Sequence, residues 1–209
     1  MNTIAVIDYG MGNLHSMAKA LEKVAPTQRI RISADPKEIL AADRVVFPGV
    51  GAMAACMGEL ERLGLDRAIR EVARQRPMLG VCLGMQALFE RSEEGNGIAA
   101  LGILPGTVKR FHFDAQGAGR LKIPHMGWNA IHTPRAHPLW AGIDPAWFYF
   151  VHGYFCEPAD AGIVAAECDY GGRFCAAVIR ENMAAVQFHP EKSQASGLRL
   201  LANFVTWQP

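Results

Sequence analysis

Three residues of this 209-residue chain have the types and surroundings to make and break an acyl bond: Cys82, His189 and Glu191. Cys82 lies in Gly80-Val81-Cys82-Leu83-Gly84, straight after the apolar run 78–81 and straight before a helical stretch. A residue on such a strand-to-helix turn is pushed outward above the carboxyl edge of a sheet. The small neighbours Gly80 and Gly84 let the backbone turn there without a clash. The N-terminus of the following helix favours thiolate, the nucleophilic form, and the backbone N–H of Leu83 would face a developing oxyanion. A buried cysteine at an ordinary strand-to-helix turn carries the same pattern, so the motif gains its weight from its companions.

A thiolate needs a base that can also protonate a leaving group. Of the seven histidines, His189 in Gln187-Phe188-His189-Pro190-Glu191 is the best placed. A carboxylate two residues beyond it can accept the ring N–H, fix the tautomer and stabilise the imidazolium. Pro190 between them holds the backbone extended. A surface turn would read the same way. The strand-end position, shared with Cys82, tips the balance, because ligands of open α/β sheets gather at the carboxyl ends of strands. Pro48-Gly49-Val50-Gly51 follows the third strand, and its glycines would let backbone amides approach a site. If strands three and four are neighbours, Val50 or Gly51 offers the second oxyanion donor; otherwise the segment is a plain loop.

The elements that must position these groups are legible from periodicity. Strands are expected at 3–7, 28–32, 44–47 and 78–81, and helices at 14–24, from Pro36 behind an Asp35 cap, at 52–74 with a break near Gly64, and at 83–89. Continuous apolar strands alternating with amphipathic helices predict a doubly wound, mostly parallel α/β sheet with helices on both faces. From about Thr107 the pattern changes to strands at 147–151, 163–166, 176–179 and 184–188, with a hairpin turn at Glu181-Asn182, which predicts an antiparallel extension. A closing helix is expected over 195–207, and 114–119 reads as a loop. No repeat or linker divides the chain, so residues 1–209 are expected to form a single domain.

Composition removes several function classes. Half of the residues are apolar, enough for a large core. A net charge of +1 argues against nucleic acid or an anionic membrane as partner. No apolar run approaches the roughly 20 residues that span a bilayer. The start MNTIAVIDYG lacks a basic leader and reads as a first strand, so a cytoplasmic protein is expected. Five cysteines without a CxxC pair predict neither disulfides nor structural zinc, and Cys56, Cys156, Cys168 and Cys175 are expected to be buried and inert. The scattered histidines offer no metal-ligand spacing, and no cofactor is expected.

Cys82 in GVCLGMQ, His189 and Glu191 in QFHPEKS, and the upstream PGVG together resemble the class I (triad) glutamine amidotransferases, in residue order and in a Cys–His separation of about a hundred residues. The segments DYGMGNL (8–14), PHMGWN (124–129) and FYFVH (148–152) extend the resemblance over almost the whole chain. They match one branch of the family, whose glutaminase forms a heterodimer with a (β/α)8-barrel cyclase that receives the ammonia out of contact with bulk water. The resemblance implies that Cys82 attacks the side-chain amide of L-glutamine, His189 shuttles the proton and Glu191 orients His189. It implies an oxyanion site at Gly49, Val50, Gly51 and Leu83, and glutamine-binding roles for Gln86 and Glu94. Gln86 lies one turn after Cys82 on the same helix face, whereas Glu94 on a loop would otherwise be a solvated charge. The resemblance further places Asn13, His125, Met126, Trp128 and Asn129 near the partner, and Tyr149 and Lys192 around the ammonia exit. On residue type alone Trp128 would more often be core and Asn13 a helix cap. A glutaminase of the same class serving another synthase, a cysteine hydrolase on a similar sheet, and a binding module that has lost turnover are the competing readings. Intact Cys82, His189 and Glu191 speak against the last.

Overall fold

The computed structural model describes residues 2–113, 121–144 and 146–209, so the loop expected at 114–119 lies outside the described residues. The chain runs β1 (Thr3–Ile7), α1 (Leu14–Val24), β2 (Arg29–Ser33), α2 (Pro36–Ala41), β3 (Arg44–Gly49), α3 (Met53–Leu63), α4 (Leu65–Gln75), β4 (Met78–Cys82) and α5 (Leu83–Gln86). Next come the short strands β5 (Arg91–Ser92) and β6 (Ile98–Ala99), followed by β7 (Gly106–Arg110), β8 (His125–His132), β9 (Trp147–His152) and β10 (Tyr154–Pro158). The chain closes with β11 (Val164–Asp169), β12 (Arg173–Arg180), β13 (Met183–Val186) and α6 (Gln194–Thr206).

The sheet is mixed. Strands β2, β1, β3, β4 and β13 lie side by side and parallel. Antiparallel pairing begins at β12, which continues through β10 to β7 on one path and through β11 and β8 to β9 on another. The doubly wound α/β expectation holds, and the antiparallel extension carries more strands than the parallel core. Glu181 and Asn182 form the expected two-residue turn, with Arg180 opposite Met183 and Glu181 at φ 52°. Asp35 accepts from the Lys37 N–H at 2.9 Å and caps α2.

Residues along each parallel strand alternate between two cores, one per face. Ile4, Val6, Val46, Leu79 and Val81 pack with Met17 and Leu21 of α1 and Leu200 and Phe204 of α6. Ala5, Ile7, Val45, Phe47 and Met78 pack on the other face with Ile39, Leu60, Ile69 and Val72 of α2, α3 and α4. Both faces are therefore covered, which is what continuous apolar strands require.

One element is shorter than its sequence suggests. The helix expected over 83–89 is the single turn Leu83–Gln86. Beyond it the carbonyls of Ala87, Leu88 and Phe89 accept from the backbone N–H groups of residues 101–104 instead of continuing the helix. Among the described residues no helix is long and apolar enough to cross a membrane.

Gly84 fixes how closely that turn sits on β3: a Cβ there would fall on the carbonyl oxygen of Phe47, inside van der Waals contact. Gly58, exposed in α3, would meet nothing within 4 Å. Gly84→Ala is therefore expected to lower stability by about 3 kcal/mol, and Gly58→Ala to raise it by about 0.5–1 kcal/mol, both read from urea unfolding midpoints. Equal midpoints for the two variants would refute the packing argument.

Candidate active site

The carboxyl ends of three adjacent strands bring the key segments together. Gly49 of β3 stands opposite Cys82 of β4, so the condition that the third and fourth strands be neighbours is met. On the other side of β4, Val186 of β13 pairs with Val81, which delivers Gln187 beside Cys82 and carries the chain on to His189. Cys82 itself has φ 54° and ψ −110°, a conformation that non-glycine residues adopt rarely and at a cost of about 1–3 kcal/mol. This is the sharp elbow that the sequence pattern predicts. Because α5 is one turn long, its dipole adds little at Cys82 beyond the free N–H groups of that turn.

His189 Nδ1 lies 2.8 Å from Glu191 Oε1, with both side chains 2% exposed. The Nε2 atom of His189 is buried and has no hydrogen-bond partner. Burial alone would lower the His189 pKa, but the interactions with Cys82 and Glu191 outweigh it and push the value up to about 10. At neutral pH the ring is thus an imidazolium, bonded to the Glu191 carboxylate and within electrostatic reach of the Cys82 sulfur. Asn13, expected at the partner surface or as a cap, makes no side-chain cap to α1; its amide instead approaches Glu191 Oε1 at 3.5 Å.

Cys82 and His189 line a cavity of about 320 Å³ together with Val50, Gly51, Leu83, Gln86 and Glu94. Most of the expected binding groups thus converge on one space. Gly49 is set back from this wall, and a Cβ on it would overlap the Tyr9 hydroxyl oxygen. It is a packing glycine that lets the loop begin where it does. Val50 is exposed and Gly51 has φ 92°. Glu94 is no free surface charge: its Oε2 accepts from the Met53 N–H at 2.9 Å, holding the first turn of α3 while the side chain faces the cavity. Gln86 is 6% exposed, and its nitrogen donates to Tyr154 O and to Gln187 Oε1, each at 3.0 Å. Only its oxygen is left to face the cavity. Gln187, fully buried, donates to Cys82 Sγ at 3.7 Å. The sequence motif around His189 assigns no role to Gln187, whose signal is a lone amide closing an apolar strand run.

The expected interface residues divide into two groups. Met126 and Trp128 are exposed on β8, Trp128 stands against Tyr149 across the β8–β9 pair, and exposed Lys192 lies 5.9 Å above the Tyr149 ring. These form a continuous surface patch. His125, by contrast, is 3% exposed, which corrects its assignment as a surface contact. It pairs with buried His152 at 3.1 Å and approaches Asn129, whose amide donates to Asp169 O. Burial lowers His125 to about 4 and His152 to about 3, so both rings are neutral at pH 7. The other four cysteines are buried thiols, and desolvation raises Cys56, Cys168 and Cys175 to about 12. Cavities of comparable size occur elsewhere, one beside Phe111 and one beside Leu121, but neither is lined by a cysteine.

The model of the "Glutamine amidotransferase class-I" family matches residues 5–207. The chain is 56% identical to "Imidazole glycerol phosphate synthase subunit HisH" of Aromatoleum aromaticum, covering all of both chains. It is 57% identical to the protein of the same name from Nitrosococcus oceani, over 99% of this chain and 98% of that one. Among solved structures it resembles a chain in "Structure of PurLQS from Thermotoga maritima", with a TM-score of 0.71 at 17% identity over 98% of this chain and 97% of that one. A likeness at that identity speaks to the fold alone.

A histidine raised from 6.5 to about 10 stabilises the fold fully below pH ~6.5, and the contribution fades as the pH rises through about 10. Glu191→Gln weakens that effect. Its stability deficit should be about 2 kcal/mol near pH 6 and narrow toward pH 10, measured from urea midpoints. A deficit independent of pH would show that His189 is not held as an imidazolium.

Proposed function

This chain belongs to the class-I glutamine amidotransferases, and on that premise we propose that it is the glutaminase subunit of an imidazole glycerol phosphate synthase in histidine biosynthesis. The observation that carries the chemistry is a cysteine on a left-handed elbow, facing a buried histidine–carboxylate pair at the wall of a cavity large enough for one amino acid.

Cys82 attacks the side-chain carbonyl carbon of L-glutamine, and the oxygen takes up the negative charge within reach of the Leu83 N–H and of the Val50–Gly51 backbone. His189 gives its proton to the nitrogen, the C–N bond breaks and ammonia leaves. A γ-glutamyl thioester remains on Cys82. Water then adds to the thioester carbon as His189 accepts its proton, and collapse returns the C–S electron pair to sulfur and frees glutamate. Glu191, supported by Asn13, keeps the ring oriented throughout. Glu94 and the Gln86 oxygen hold the substrate's polar ends. The entire chain works as one domain.

The partner is a (β/α)8-barrel cyclase, joined as a cytoplasmic heterodimer, which uses the ammonia to make imidazole glycerol phosphate and AICAR. The patch of exposed Met126, Trp128 and Lys192 around half-buried Tyr149 supports this, since large apolar side chains ringed by polar ones mark docking surfaces. Direct transfer has a chemical motive: ammonia is largely protonated at neutral pH, and ammonium is no nucleophile. The exposed Val50 peptide is the segment whose rotation would complete the oxyanion site when the partner docks, so the isolated chain is a poor glutaminase.

Glutamate release from glutamine, with and without the cyclase and its ribonucleotide ligand, tests both statements. Strong stimulation by the loaded partner is expected, with a loss of about 1,000-fold or more in Cys82→Ala. Full turnover by the isolated chain would sink the activation claim, and undiminished turnover in Cys82→Ala would sink the nucleophile.

A further inference from the structure

The sulfur of Cys82 has a neighbour that the reaction scheme above leaves unused. Gln187 closes β13, is fully buried, and ties its backbone N–H to Ala176 O at 2.8 Å. Its side-chain nitrogen lies 3.7 Å from Cys82 Sγ and its oxygen 3.0 Å from the Gln86 nitrogen. An amide can be turned end for end, but here the orientation follows from an obligate acceptor. Tyr154 O can only accept, so the Gln86 group 3.0 Å from it is the nitrogen. That nitrogen's second hydrogen then meets Gln187, which must present oxygen. The Gln187 nitrogen is left to face the sulfur.

Tyr154 O fixes a second arm in the same way. His152 Nδ1 sits 2.8 Å from it and therefore carries the ring hydrogen. His152 Nε2 is then the acceptor for His125 Nδ1, and His125 Nε2 the acceptor for the Asn129 amide. Both lone pairs of one carbonyl are thus occupied by donors whose positions are locked in a buried network.

We propose that Gln187 is a dedicated hydrogen-bond donor to the Cys82 sulfur, oriented through Gln86, which stabilises the thiolate before attack and again as the thioester's leaving group. Val151 O, at 3.9 Å, can accept from the thiol but only repels the thiolate. Tyr9 and Cys156 lie within electrostatic reach, and burial keeps both neutral. His189 supplies positive charge until it surrenders its proton to the departing ammonia. During thioester hydrolysis the ring first acts as base, whereas the Gln187 amide keeps its proton and its position through every step. A hydrogen bond to a charged group is worth enough to change the thiolate population about tenfold.

The inference rests on Cys82 being the nucleophile, and the experiment separates the two. Gln187→Met keeps length and volume and removes the donor. The pH dependence of alkylation by iodoacetamide is read at the Cys82 peptide by mass spectrometry, and kcat and KM for glutamine are measured with the partner bound. The alkylation midpoint is expected to rise by about one pH unit, with kcat about tenfold lower and KM changed less than about threefold. Gln86→Met, which frees the Gln187 amide to rotate, should move the midpoint the same way by a smaller amount; it carries the test if Gln187→Met does not fold. An unchanged midpoint in the folded variant overturns the proposal, even if kcat falls, because a packing role would lower activity without moving the sulfur's titration. The nucleophile reading fails separately, on retained turnover in Cys82→Ala.

Discussion

The arrangement depends on a close approach: the turn after β4 lies so tightly against β3 that only a glycine fits at Gly84 beneath the Phe47 carbonyl. That contact fixes where α5 begins and leaves Cys82 to absorb the reversal with a positive φ. A cysteine in ordinary extended backbone would alternate with its neighbours into one of the two cores. Strain at one residue, offset by apolar packing on both faces of the sheet, turns a core position into one that faces a cavity.

Electrostatics follow from that geometry. Burial penalises charge throughout this region and keeps the His125–His152 pair, Tyr9 and four of the five cysteines neutral. His189 is the exception, because two partners act on it at once. The contrast lies in what each ring faces: His152 is hydrogen-bonded to a neutral carbonyl, whereas the Cys82 sulfur and the Glu191 carboxylate act together on His189 and repay its loss of solvent.

The sequence carried the trio Cys82, His189 and Glu191 because glycine spacing, a strand end and an HPE step are local signals. The two helical faces and the Glu181-Asn182 turn were legible for the same reason. The length of α5 was not, since the carbonyls that would extend it are claimed by residues 101–104, a tertiary competition that periodicity does not register. Nor was the burial of His125, whose alternating neighbours on β8 are exposed, or the reach of Asn13 to Glu191 across 178 positions. Gln187 stood in plain view within its motif, but its side-chain partners Gln86 and Cys82 lie 101 and 105 positions away, and only the fold brings them together.

Glu94 gives two jobs to one carboxylate, capping the first turn of α3 and walling the cavity. Any ligand that engages its other oxygen becomes thermodynamically linked to the order of that helix end. Such linkage is reciprocal: the factor by which occupancy suppresses fraying at Met53 equals the factor by which a frayed Met53 weakens binding. Substitutions along α3 far from the cavity can therefore change affinity without touching the ligand, and amide exchange at Met53 would report occupancy of a site it does not line.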